Sequence, residues 1–66
     1  MNIVYPNLQK AMIDKGVTVR ELSKLVGECE EIVYLKLQGV REWNLLEAVT
    51  ICRYFQHSDL KALFLR

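Results

Sequence analysis

The side chains able to hold a metal or move a proton are few, and their spacing suits neither task. Cys29 and Cys52 lie 23 positions apart with only His57 as a further soft ligand. A zinc site needs more ligands at closer spacing. Both thiols therefore read as small buried side chains of a reduced protein. His57, with no nucleophile or ligand set around it, reads as a loop residue. Asp14, Glu21 and Glu47 are explained by solvent exposure and helix capping. There is no glycine-rich phosphate loop and no nucleophile–base arrangement, so no catalytic residue, metal or cofactor is expected.

What remains is recognition chemistry. Glu28, Glu30 and Glu31 crowd one short stretch, Tyr34 and Gln38 follow it, and Arg20, Lys24, Lys36 and Arg41 lie around it. Carboxylates accept hydrogen bonds, the amide of glutamine both donates and accepts, and tyrosine adds a ring and a hydroxyl. Nine basic against eight acidic residues give a net charge of +1, so no global field selects the partner.

The elements that must carry these groups are short helices. Sixty-six residues make one domain, residues 1–66, near the lower limit for folding without metal, disulfide or partner. A hydrophobic fraction of 52% suffices for a core. Pro6 suits a helix start, and Asn7 is an alternative cap, for a helix over about 7–15 with Leu8, Ala11 and Met12 on one face. Gly16 ends it. Thr18-Val19-Arg20-Glu21 is a capping box opening a second helix to about Val26, with Val19, Leu22 and Val26 inward. Ser23, on the same side, lets another helix approach closely. Gly27 stops that helix, and Cys29 stands where a capping serine is expected, although a thiol caps poorly.

The third helix covers about 30–38 with Val33 and Leu37 as its core pair, and Gly39 ends it. Asn44-Leu45-Leu46-Glu47 repeats the capping logic for a helix over about 45–55. Its expected apolar stripe is Leu45, Ala48, Val49, Cys52 and Phe55, with Ile51 flanking. Trp43 is expected to plug the corner before it. Ser58 is the expected cap of a final helix over 59–65, with Leu60, Leu63 and Phe64 inward. No segment alternates like a strand, and there is no linker, repeat or low-complexity run. No apolar run approaches membrane-spanning length, and Met1 to Pro6 lacks a signal-peptide plan, so a cytoplasmic protein is expected.

Taken together, Gly16-Val17-Thr18, Glu21-Leu22-Ser23, Val26-Gly27, Val33 and Gly39 resemble the lambda repressor/Cro class of helix-turn-helix proteins (the XRE type). Tyr5-Pro6-Asn7-Leu8, Lys36-Leu37-Gln38-Gly39, Trp43, Leu45-Leu46-Glu47-Ala48 and Leu60-Lys61-Ala62-Leu63-Phe64 are similar to segments of small phage and prophage regulators of that class. The resemblance implies a compact, all-α, five-helix lambda-repressor-like domain that regulates transcription by binding double-stranded DNA. It also implies a homodimer, for which the last helix with Leu65 is one surface.

At 100° per residue, Glu30, Glu31, Tyr34 and Gln38 face away from Val33 and Leu37 and are the candidate base contacts. Thr18, Arg20, Lys36 and Arg41 are the candidate phosphate contacts. The chain departs from the family where Val19 replaces a phosphate-binding glutamine, Cys29 a serine, and acids the usual polar or basic residues. Acids at a helix start complement its dipole. They also leave a second function open: a helix-turn-helix that binds a protein, such as a repressor, through an acidic face with Tyr34 and Leu35 exposed. Steeply salt-sensitive duplex binding distinguishes the first reading from the second.

Overall fold

The computed structural model describes residues 2–66, and all regular structure among them is helical. In chain order the helices are α1 (Pro6–Lys15), α2 (Val19–Val26), α3 (Glu30–Leu37), α4 (Leu45–Tyr54) and α5 (Leu60–Leu63). Tyr5 enters α1 in extended conformation with Pro6 in the first turn, where a missing N–H is harmless. Asn7 does not cap α1; its side-chain amide donates to the Ala62 carbonyl at 2.7 Å and ties α1 to α5.

At the start of α2, the Thr18 hydroxyl accepts from the Glu21 N–H at 3.3 Å, as the capping pattern predicts. The return half differs. The Glu21 carboxylate accepts from the Thr18 hydroxyl at 3.4 Å and leaves the Thr18 backbone N–H alone. The complete box forms at α4. There Asn44 Oδ1 accepts from the Glu47 N–H at 2.7 Å, and Glu47 Oε1 accepts from the Asn44 N–H at 3.0 Å. The last helix is capped by Asp59 rather than Ser58, because the carboxylate of Asp59 reaches the N–H groups of Lys61 and Ala62.

One cluster forms the core. Leu8, Leu22, Val33, Leu37, Ile51 and Leu63 are fully buried, and Tyr5, Met12, Val17, Val19 and Phe55 close around them. Burying each leucine or isoleucine stabilises the fold by about 1.5–3 kcal/mol. Against this core α2 packs on α3 and α4, α5 on α4, and α1 on α5. Ser23 is buried and donates to the Arg20 carbonyl, so its hydroxyl is satisfied within its own helix.

The inward face of α4 is rotated from the expected stripe. Ile51 and Phe55 are buried, and the third residue of that row is an acid, Glu47; Leu45 is 73% exposed. Positions 47, 51 and 55 follow one i, i+4 row, with Ala48 and Cys52 half-buried beside it. The Cys52 thiol donates to the His57 carbonyl at 3.0 Å and helps shape the turn into α5. Trp43 packs against the core edge, with its ring 5.9 Å from that of Phe64.

Candidate nucleic-acid interface

The α2–turn–α3 unit is made by local rules. Gly27 closes α2 at φ 74°, a left-handed conformation that disfavours side chains with a Cβ. Glu28 and Cys29 then lead into α3. Cys29 has the extended backbone of a cap residue, but its thiol makes no capping bond. Glu30 and Glu31 in the first turn supply negative charge opposite the positive end of the helix dipole.

Val33 and Leu37 pull one side of α3 into the core, and this leaves Glu30, Glu31, Tyr34 and Gln38 exposed on the other. Leu35 is half-buried, so Tyr34, 41% exposed, stands as the main apolar group on that sector. Glu30 and Tyr34 share an open groove with Ile13, Thr18 and Arg20, where the end of α1 and the start of α2 meet α3. Two expected base-facing residues and two expected phosphate-facing residues are thereby brought together. Gln38 and Arg41, both exposed, belong to the other end of α3.

Lys36 departs from expectation. Placed by sequence as a phosphate contact, it is only 7% exposed, and its Nζ donates to both carboxylate oxygens of Glu47 at 2.6 Å. The ammonium also lies 5.6 Å from the centre of the Trp43 ring. Burial pushes the Glu47 carboxyl up, but the hydrogen bonds from Lys36 and the Asn44 N–H, with the nearby Lys36 and Arg41 charges, outweigh it and hold the group below the ordinary value of 4.5. The lysine is therefore a link between α3 and α4.

Two further attachments at this end of α3 were invisible in the sequence. The Val4 N–H donates to the Leu37 carbonyl at 3.0 Å, satisfying one of the carbonyls a helix end leaves free. The Arg66 guanidinium donates to Glu42 at 2.9 Å, in the loop that follows α3. Neither partner choice has a local sequence signal.

Among the described residues no group of three or more His, Cys, Asp or Glu side chains could hold a metal ion. No helix there is long and apolar enough to cross a membrane. Two helices set by a glycine turn, the second exposing one polar sector, define a helix-turn-helix protein. The family model of the Cro/C1-type HTH DNA-binding domain matches residues 7–58, and the chain belongs to that family. No curated protein and no solved structure matches it significantly. Family membership supports a DNA-binding regulatory role over a catalytic one.

Proposed function

We propose that this protein is a phage- or prophage-type transcriptional regulator that lays α3 in the major groove of double-stranded DNA. The observation that carries this reading is the family match over residues 7–58, which spans the whole α2–α3 unit. In that pose Gln38 pairs with adenine, Glu30 or Glu31 accepts from a cytosine amino group, and Tyr34 packs on a thymine methyl or bonds a phosphate. Thr18 and Arg20 at the start of α2, and Arg41 beyond α3, take phosphates and fix the register. Two copies occupy paired half-sites, joined through the face around Leu65, and the protein works in the cytoplasm.

The two cationic phosphate contacts, Arg20 and Arg41, give log K a slope of roughly −2 per copy against log salt, because the neutral Thr18 hydroxyl releases no counterion. Retention of a random-sequence duplex at low ionic strength, weakening at about that slope, is the expected result. No retention of any duplex at low ionic strength overturns the reading and directs attention to a protein partner at Tyr34 and Leu35.

A further inference from the structure

Val33 and Leu37, both fully buried, stand four positions apart and anchor α3 along a single row of side chains. A helix held on one row can roll about it. Glu30, Tyr34 and Gln38 lie on one side of that row, about 60–140° round from Val33 at 100° per residue. A roll of about 20° carries a side-chain tip about 5–6 Å from the axis through roughly 2 Å. That exceeds what a directed hydrogen bond tolerates. Lys36 lies about 60° from Val33 in the opposite sense. It is there that α3 is tied by charge to α4.

We propose that the Lys36–Glu47 pair is a positioning device, which fixes the roll of α3 against α4 and thereby decides which base sequence α3 discriminates. The proposal rests on the reading of α3 as the groove helix. Both residues are 7% exposed, and the ammonium contacts both carboxylate oxygens at 2.6 Å. The same carboxylate accepts from the Asn44 N–H at 3.0 Å, so its own position is locked to the start of α4. The Trp43 ring covers the ammonium. The short charge-assisted contact to both oxygens, in a site that water barely reaches, holds the Lys36 end of α3 against Glu47. A buried pair adds little net stability compared with apolar side chains of similar volume, so its effect falls on orientation.

The experiment compares the full chain with Lys36→Met, Glu47→Gln and the double variant on a pool of random-sequence duplexes. It measures the affinity ratio between the sequence the wild type enriches and the unselected pool, together with the salt slope. Melting curves establish which variants fold. Glu47→Gln keeps an acceptor for Asn44 and carries the test if Lys36→Met does not fold. The expected result is a ratio lowered about tenfold or more by each single variant, no further loss in the double variant, and an unchanged salt slope on the unselected pool. An unchanged ratio in a folded variant overturns the proposal. So does uniform weakening by Lys36→Met with the salt slope reduced by about one, which identifies Lys36 as a phosphate contact. A wild type that binds duplex but enriches no sequence overturns the proposal alone. A wild type that binds no duplex overturns the DNA reading as well.

Discussion

The Tyr5 hydroxyl and the Arg66 guanidinium meet at 3.1 Å across 61 positions of sequence, and the guanidinium also lies 5.3 Å from the centre of the Tyr5 ring. Tyr5 is buried against the core while Arg66 reaches on to Glu42. This joins the segment before α1 to the loop after α3. Tyr5→Phe removes only the hydroxyl and is expected to lower the melting temperature slightly. Tyr5→Ala also leaves a hole in the core and is expected to cost about 3–5 kcal/mol, read by denaturant unfolding.

Gly39 follows α3 at φ 79°, and a Cβ there would stand 3.0 Å from Val4 Cγ2 and 3.4 Å from Arg66 Nη1. Gly27 has a similar φ of 74° but open space around the added carbon. Each alanine substitution carries left-handed strain of about 1–2 kcal/mol. Gly39→Ala is expected to be the more destabilising of the two, because Val4 must also shift. Thermal unfolding of both variants checks the order.

Cys29 already has cap-like backbone angles, φ −73° and ψ 158°, without a capping side chain. Cys29→Ser is expected to stabilise the fold by about 0.5–1 kcal/mol by supplying the missing acceptor. Asn44→Ala, which removes a working cap, is expected to cost about 1–2 kcal/mol. Urea midpoints measured on the two variants should move in opposite directions.

Glu30 and Glu31 are exposed on the sector of α3 assigned to DNA. Replacing both by lysine is expected to raise affinity for random duplex by roughly tenfold or more at low salt and to steepen the salt slope. Gel-shift titrations at several salt concentrations provide the check. An unchanged affinity means that this sector is turned away from the duplex.

Glu47 has a depressed carboxyl pKa in the folded chain, with 4.5 as its ordinary value. Between those two values the unfolded chain binds a proton that the folded chain does not, so stability falls as pH drops. The contribution is fully present above about pH 4.5 and is lost as pH descends through the folded value. Glu47→Gln is expected to flatten the stability–pH profile in that acid range and leave its shape at neutral pH unchanged. Denaturant unfolding across that range measures it.

Local chemistry was the legible part. Gly27, Thr18 with Glu21, and Asn44 with Glu47 act through neighbours four positions away or less, and they place α2 and α4 within a residue or two of their observed bounds. The face of α4 was harder, because Leu45, Leu46, Val49 and Ile51 are all apolar and allow several stripes. The observed row instead runs through an acid, which is tolerable only because Lys36 supplies the opposite charge 11 positions away. The burial of Lys36 is hidden for the same reason: a lysine in the last turn of α3 looks solvent-facing until its partner on α4, Glu47, is known. Asp59 displaced Ser58 by one position, within the usual uncertainty of helix starts. The exposed sector of α3 followed from Val33 and Leu37 alone, since fixing one side of a helix fixes the other.

Trp43 is the only tryptophan in the sequence. Its indole N–H is buried and has no acceptor among the described residues, and its ring faces both Phe64 and the Lys36 ammonium. All indole fluorescence therefore originates at the junction of α3, α4 and α5, whereas far-ultraviolet circular dichroism averages over every helix. Superimposable unfolding curves from the two signals mean that this corner melts with the whole molecule. An earlier fluorescence transition reveals a corner that loosens by itself, in a protein with its own optical gauge of the α3 attachment.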